Sequence, residues 1–298
     1  MSKLSTFREF ELEDMEPFHR FFARNGSMLS IYNFANLYMW GRLHKHLWTI
    51  YQNRLIIYSD RDKFAVMPLG EEPSPGELIE LSDVLIRNGK KGDFSYVPGE
   101  YIKKHPELEE SFEIRPDPDN GDYIYSTKKL AELRGRKLHK KKNLLNQFLK
   151  NYPDYQCLEM STDYFQECID LSEKWCVDVE CEIVDFAYET EALRRGFENW
   201  DYLVLDGLVI LFDGNIIAFS VFNKQNENTA LIHYEKFDRD IKGCAQVINW
   251  EAARNLEDDY EFVNREQDLG IEGLRKAKES YQPEFKADIS SLIRKQKE

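Results

Sequence analysis

The stretch Thr229-Ala-Leu-Ile-His-Tyr-Glu-Lys-Phe237, followed by Asp238-Arg-Asp-Ile-Lys-Gly-Cys-Ala245, decides the fold, because it predicts a strand, a loop and a helix start in succession. Two further strands are predicted before it, at Tyr202 to Phe212 and at Asn215 to Asn223. The Asp213-Gly214 pair between them is a strong signal for a hairpin turn. The sequence therefore predicts a three-stranded meander that leads into a helix.

The elements predicted after this loop complete an order of strands and helices that is typical of one kind of α/β domain. They are a helix from Gly243 to Leu256, a strand from Tyr260 to Val263, a helix from Ile271 to Glu279 and a strand near Phe285 to Ile289. The order β-β-β-α-β-α-β is expected of an N-acetyltransferase-type domain, although other α/β folds share parts of it.

The first half of the chain repeats this order, after a helix predicted at Leu4 to Arg24. Its elements are predicted at Leu47 to Tyr51, Leu55 to Tyr58, Phe64 to Pro68, Pro75 to Asn88, Phe94 to Val97, Gly99 to Lys104 and Phe112 to Ile114. Arg115-Pro-Asp-Pro-Asp-Asn-Gly-Asp122 has the composition of a linker. We therefore predict an α/β fold of two tandem N-acetyltransferase-like domains, 1–120 and 121–298. Each has a mixed, largely antiparallel twisted sheet flanked by helices, and the second carries the site.

Composition limits the class of protein. The chain has 298 residues and a net charge of −14, and its length suffices for two domains with separate cores. No apolar run approaches the roughly 18–20 residues that cross a bilayer, and the charged start lacks a signal core. We expect a cytoplasmic protein without an integral membrane segment. Common nucleotide loops and metal-ligand spacings are missing from the sequence, so we expect no metal and no tightly bound cofactor.

A local cationic stripe interrupts this acidic chain. From Arg134 to Lys150 there are seven Lys and Arg residues and no acid. Such a stripe is often a solvated helix face, but it also fits the phosphates of CoA or of a tRNA acceptor end. The candidate phosphate-binding side chains of the stripe are Arg136, Lys140, Lys141 and Lys142.

A second candidate phosphate site is the helix start at Lys242 and Gly243, where free amides attract anions. The acetyltransferase fold places a pyrophosphate at such a loop, and Gly243-x-Ala245 fits its pattern. The position three residues before the glycine is Asp240, however, and Arg239 comes one residue too early. This departure favours a donor other than CoA.

Polar residues after the fourth strand of the second half predict the chemistry. Glu266 and Asp268 are candidate catalytic carboxylates that could hold an ammonium group. Asn264, Arg275, Lys278 and Tyr281 are candidate substrate-binding residues, with Arg275 and Lys278 on one helix face. The structural alternative is that Glu266 or Asp268 pairs with Arg275, or that Asp268 caps the helix.

Two more sets of residues are candidates for the site. His233 and Glu235 lie two positions apart in a predicted strand, so we expect them on one face, as a base and its orienting group. A satisfied buried polar pair is the alternative. Tyr32 and Asn33 belong to an amide and aromatic cluster that either binds substrate at a cleft or belongs to the first domain's core.

Four blocks of the sequence resemble a known family. They are Tyr32 to Trp40, Leu133 to Phe148, His233 to Asn249 and Asn264 to Pro283. The sequence looks like a bacterial family of unknown function that is related to the C-terminal domain of phosphatidylglycerol lysyltransferases. The resemblance implies a tandem N-acetyltransferase-type fold, as in the aminoacyl-tRNA-dependent transferases of membrane lipid and cell-wall peptide.

Three activities remain open from the sequence. One is transfer of an aminoacyl group from aminoacyl-tRNA to an amine or hydroxyl acceptor, such as a small molecule or a peptide. The second is transfer from acyl-CoA to an amine. The third is a non-catalytic binding module whose acids and cations form a structural network. The sequence leaves the acceptor and the oligomeric state undetermined.

Overall fold

The computed structural model describes residues 4–22, 26–178 and 184–296. The strands are β1 (Arg8–Glu9), β2 (His46–Tyr51), β3 (Arg54–Ser59), β4 (Phe64–Val66), β5 (Phe94–Pro98), β6 (Phe112–Pro116), β7 (Tyr123–Ser126), β8 (Gln156–Glu159), β9 (Asp206–Phe212), β10 (Asn215–Asn226), β11 (Thr229–Phe237), β12 (Phe262–Asn264), β13 (Phe285–Lys286) and β14 (Ile289–Arg294). The α-helices of these described ranges are α1 (Met15–Phe22), α2 (Phe34–His44), α3 (Pro75–Arg87), α4 (Gly99–Lys104), α5 (Thr127–Glu132), α6 (His139–Asn151), α7 (Phe165–Asp178), α8 (Val184–Glu198), α9 (Cys244–Leu256) and α10 (Glu272–Glu279).

The chain forms two compact units, and neither is continuous in sequence. The first unit draws on residues 1–122, 267–270 and 286–298, and the second on 123–266 and 271–285. These units differ from the predicted ranges 1–120 and 121–298, because two C-terminal segments belong to the first unit.

The first unit contains a mixed sheet with the strand order β1-β2-β3-β4-β5-β14-β6. Only β4 and β5 run parallel among its paired neighbours, and α3 packs buried leucines against the sheet. The last strand, β14, lies between β5 and β6, where Leu292 pairs with Ile114 and is fully buried. We predicted one strand near Phe285 to Ile289 in the second domain. Only β13 takes that place, because the apolar residues from Ile289 onward complete the first core.

The segment Leu4 to Arg24 does not form the single helix that we predicted. It holds β1, a 3-10 turn at Leu12–Asp14 and then α1, while Arg24 itself lies outside the described residues. The backbone of Arg8 and Glu9 pairs with β2 instead, and the Asp14 carboxylate accepts hydrogen bonds from Trp48 and the Glu11 amide. These tertiary partners override the helical periodicity of the segment.

The second unit contains a mixed sheet with the order β13-β7-β12-β11-β10-β9-β8. Strands β9, β10 and β11 form the predicted antiparallel meander, with Asp213 and Gly214 in the hairpin turn. The pair β11 and β12 is parallel, and its last partners are Leu231 and Asn264. Beyond that point β11 continues to Phe237 while β12 ends. The two strands therefore part at His233, at the middle of the sheet.

A β-bulge in β11 changes which way its side chains point. Val221 pairs with Tyr234 and Phe222 pairs with Ile232, so His233 is skipped in the register. A bulge interrupts the strict alternation of faces on which sequence arguments depend. Our prediction that His233 and Glu235 share one face through simple alternation was therefore wrong.

Helix α6 packs against the start of α9 in the core of the second unit. Gly243 has φ +88, and a Cβ built there would lie 2.5 Å from the Leu144 carbonyl oxygen and 2.8 Å from Phe148 Cβ. Phe148 and the α9 residues Cys244 and Val247 belong to one buried cluster. Glycine at 243 is thus explained by close helix packing as well as by its left-handed backbone.

Both units are mixed sheets flanked by helices, which agrees with the predicted α/β class. Within the described part of the chain, none of the helices has the length and apolar character needed to span a membrane.

Substitution of Gly243 by alanine tests the packing of α6 against the start of α9. We expect Gly243→Ala to lower the free energy of unfolding by about 3 kcal/mol, because it adds a backbone clash to left-handed strain. The matched control is Gly214→Ala, at φ +77 with no atom within 4 Å of the added Cβ; it should cost only about 1 kcal/mol. Urea unfolding measures both, and equal losses would contradict the packing argument.

Candidate functional site

The turn after β12 holds Glu266 in a strained backbone conformation. Glu266 has φ +56, which is uncommon for a residue with a side chain. The buried Asn264 side chain accepts a hydrogen bond from the Glu266 amide at 2.6 Å. The Lys278 ammonium donates to the Arg265 carbonyl and, at 3.4 Å, to the Glu266 carbonyl. We predicted that Asn264 and Lys278 bind substrate. Their contacts in the structure favour a role in fixing the backbone of this turn.

Glu266 and His233 face each other across the point where β11 and β12 part. His233 Nε2 lies 3.0 Å from Asn223 Oδ1, and with this oxygen as acceptor Nε2 carries the proton. Nδ1 then presents a lone pair, and it lies 3.8 Å from Glu266 Oε1. Among the described residues, Nδ1 has no hydrogen-bond partner.

The electrostatics of this pair favour a donor group between the two acceptors. Burial lowers the pKa of His233 to about 3, so the imidazole is neutral at neutral pH. The His233 side chain is fully buried, whereas that of Glu266 is 22% exposed and can be reached from solvent. A lone pair and a carboxylate that face each other fit an ammonium group, which can donate to both, or a hydroxyl group, which donates to one of them.

Glu235 belongs to a different cluster from His233. Its carboxylate accepts from Arg265 Nη2 at 2.8 Å and from Asn249 Nδ2 at 3.3 Å. Arg265 and Glu235 are both largely buried, so this is a paired and hydrogen-bonded ion pair. The contacts favour a structural role for Glu235 and give it partners other than His233.

Aromatic and cationic side chains surround this ion pair. The Arg265 guanidinium lies 4.9 Å and the Lys141 ammonium 4.2 Å from the centre of the Tyr281 ring. Gln246 donates to the Tyr281 hydroxyl at 3.4 Å, and burial raises the pKa of Tyr281 to about 12. Burial, followed by the charge of Arg265, lowers the pKa of Lys141. Lys141 is thus the inner cation of the stripe, close to the end of β12.

The remaining cations of the stripe lie at the surface. Arg136, Lys140 and Lys142 are exposed, and so is Lys242 before α9. Next to the start of α6 is a cavity of about 320 Å³, lined by Lys129, Arg134, Gly135, Arg136, Lys137, Leu138 and Gln282. The structure therefore leaves these four predicted phosphate-binding side chains exposed to solvent, whereas Lys141 is partly buried.

Other predicted residues have structural contacts in the first unit. Asp268 is fully buried, and its carboxylate accepts from Lys286 Nζ at 2.6 Å and from the Gly270 amide at 2.9 Å. Tyr32 donates to the Met67 carbonyl at 2.8 Å, and the Asn33 side chain caps α2. These contacts favour structural roles for all three residues. In the second unit, Arg275 is half-buried on α10.

Sequence reasoning missed several polar groups of the site. Asn223, Gln246 and Asn249 contact His233, Tyr281 and Glu235, respectively, from other elements. Gln246 and Asn249 stand in the block that carries the family resemblance, but we gave them no role there, and Asn223 belongs to no motif. Tyr234 is fully buried, and its hydroxyl has no hydrogen-bond partner in the ranges that the structure describes. Within those same ranges, no group of three or more His, Cys, Asp or Glu residues could hold a metal ion.

Comparisons with known proteins agree with this architecture. The family described as "Phosphatidylglycerol lysyltransferase, C-terminal" matches residues 23–289. A crystal structure of a conserved protein of unknown function from Bacteroides thetaiotaomicron is 30% identical, covers 97% of this chain and 99% of its own, and has a TM-score of 0.89. An uncharacterized protein of Mycoplasmoides gallisepticum is 28% identical over 245 residues, which are 76% of this chain and 74% of that protein.

A more distant structure shows the fold alone. It is the C-terminal domain of a putative lysylphosphatidylglycerol synthetase from Agrobacterium fabrum, 16% identical, with a TM-score of 0.67 over 95% of this chain and 92% of that one. The resemblance and the tandem N-acetyltransferase-like fold predicted from the sequence are both confirmed.

The buried neutral state of His233 predicts a pH dependence of stability. The folded pKa of about 3 lies below the ordinary value of 6.5, so the unfolded chain binds more protons between these pH values. Stability should therefore fall as pH drops below about 6.5, by up to about 1.4 kcal/mol per pH unit from this group. His233→Gln should reduce that slope, measured by urea unfolding between pH 7.5 and 5.

The control for this slope is His139→Gln, an exposed histidine on α6, which should keep the wild-type slope. His46, whose pKa burial also lowers to about 3, contributes equally in all three proteins and cancels. An unchanged slope in His233→Gln would show that His233 is not buried in a neutral state.

Proposed function

We propose that this chain, which belongs to the phosphatidylglycerol lysyltransferase C-terminal family, transfers an aminoacyl group from aminoacyl-tRNA to an amine or hydroxyl acceptor. The acceptor is a small molecule or a peptide, and the reaction takes place in the cytoplasm. The ester of the aminoacyl group would bind where β11 and β12 separate in the second unit.

The packing of α6 onto the start of α9 carries this proposal, because it argues against CoA as the donor. A CoA pyrophosphate would need free amides and open space at Gly243. The Cβ direction of Gly243 is filled by the Leu144 carbonyl and Phe148. The Cys244 amide donates to the Ile241 carbonyl at 3.1 Å, and the Gln246 amide donates to the Gly243 carbonyl at 3.0 Å. The packing therefore supports a donor whose phosphates bind elsewhere.

The same helix offers a different surface for phosphates. Lys140 and Lys142 are exposed on α6, and the whole stripe from Arg134 to Lys150 contains no acid, although the chain as a whole carries −14. A localised cationic surface on an acidic protein supports a polyanionic ligand, for which binding falls steeply with salt. Lys141 extends this surface inward to Tyr281.

The His233 and Glu266 pair supplies the chemistry of the transfer. Glu266 accepts a proton from the attacking amine or hydroxyl. When the nucleophile is an amine, its second N–H donates to His233 Nδ1, which orients it. The new bond forms to the ester carbonyl carbon and the bond to the ribose oxygen breaks. That oxygen leaves with the proton returned by Glu266. Asn264 and Lys278 hold the backbone of Glu266 in the required conformation.

Roles remain for the other candidate residues. Tyr281 and Arg275 would line the path of the aminoacyl group in the second unit, and Arg136, Lys140 and Lys142 would contact the RNA. Glu235 and Asp268 would support the structure through their ion pairs.

Binding of tRNA tests the donor. We expect salt-dependent binding of bulk tRNA, with the aminoacylated form preferred over the deacylated form. Lys140→Gln/Lys142→Gln should weaken binding of both forms and reduce the slope of log K against log salt by about 1 to 2. The matched control is Lys103→Gln, an exposed lysine of the first unit, which should bind as wild type. Heat on titration with acyl-CoA, without any tRNA binding at low salt, would favour the acyl-CoA alternative.

Substitution of Glu266 tests the chemistry separately from binding. Glu266→Gln should keep the affinity for aminoacyl-tRNA but lower the transfer rate by about 10²–10⁴-fold, because the glutamine amide cannot accept the proton. Asp268→Asn should instead lower the melting temperature by removing the charge that Lys286 pairs with. A non-catalytic module would show the stability loss in Asp268→Asn and no transfer by the wild type.

A further inference from the structure

The cavity at the start of α6 has the charge of an anion site. Four of its seven lining residues are cations, and none is a carboxylate. Two of these cations have nearby acids: Lys129 pairs with Glu284, and Arg134 lies 3.5 Å from Glu132. Arg136 and Lys137 have no ion-pair partner in the described part of the chain and are exposed. Two positive charges are therefore left for a ligand.

The backbone leaves room for that ligand. Gly135 has φ +94, and no atom lies within 4 Å of the position that a Cβ would take. Leu138 precedes the first turn of α6 without a side-chain cap, so the positive end of the helix dipole adds to the two charges. An open concave site of about 320 Å³ has room for a phosphate group at the end of a chain.

We propose that this cavity binds the 5′-terminal phosphate of the donor RNA. A phosphate monoester carries about −1.5 to −2 at neutral pH, against −1 for each diester of the backbone, and so matches the two uncommitted cations. The inference rests on the proposed function, because the 5′ end of a tRNA is at the end of the acceptor stem from which the short aminoacylated 3′ strand extends. Gln282 lines the cavity, and its neighbour Tyr281 contacts Arg265 after β12.

The site would let the enzyme select the end of an RNA. Contacts between α6 and diesters do not distinguish a chain end from an internal helix. A pocket for a monoester does, since internal phosphates carry a single charge and are flanked by sugar on both sides. The 5′ phosphate would then fix the register of the acceptor stem on the second unit, and this register sets where the 3′ ester lies.

A thermodynamic cycle tests the assignment with the full-length protein. The probes are two deacylated acceptor-stem hairpin RNAs of one sequence, with a 5′ phosphate or a 5′ hydroxyl. We expect the wild type to bind the phosphorylated hairpin about 10- to 30-fold more tightly at moderate salt. In Arg136→Gln/Lys137→Gln this ratio should fall close to 1, while the melting temperature stays unchanged because both side chains are exposed.

The matched control is Lys140→Gln/Lys142→Gln on the same helix. It should weaken binding of both hairpins and keep the wild-type ratio between them. Equal binding of the two hairpins by the wild type would overturn the 5′-phosphate site and leave tRNA binding intact. A ratio that survives in Arg136→Gln/Lys137→Gln would also overturn it. Failure of either hairpin and of aminoacyl-tRNA to bind at low salt would remove the proposed function as well.

Discussion

The site depends on one constraint, the separation of β11 from β12 after the paired residues Leu231 and Asn264. A parallel pair that separates inside a sheet leaves strand edges without ladder partners on the facing sides, and side chains must occupy the gap. Here the bulge at His233 and the left-handed turn at Glu266 fill it from opposite sides. The strain at Glu266 persists because Asn264 and Lys278 bind the backbone of the same turn.

Burial sorts the carboxylates of this region into two kinds. Glu235 and Asp268 are each neutralised by a cation at hydrogen-bond distance and cannot give up that partner without leaving a buried charge. Glu266 keeps part of its side chain exposed, and its Oε1 lies 3.8 Å from Nδ1 of His233, whose imidazole is neutral at neutral pH. This difference in environment is the reason why we propose Glu266, and not Glu235 or Asp268, as the carboxylate that transfers the proton.

Helix α6 connects the packing of the second unit with its surface charge. Its inner face contributes Leu144 and Phe148, which close the start of α9, and its outer face carries exposed lysines. One helix therefore fills the space next to Gly243 and carries the exposed lysines that we propose as phosphate contacts. The Debye length at physiological salt, about 8 Å, confines the field of these lysines to their neighbourhood.

The sequence by itself determined the β-β-β-α-β-α-β order within each half, the cationic stripe and the polar block from Asn264 onward, because these follow from local patterns of apolar, turn and charged residues. It could not determine the partners. The pairing of Asp268 with Lys286 and of Glu235 with Arg265 joins residues 18 and 30 positions apart. The return of β14 to the first sheet is similarly non-local. A bulge of one residue at His233 reversed a prediction of faces. Only tertiary structure decides such features, since distance and burial in the fold, and not spacing along the chain, set which charges are neutralised.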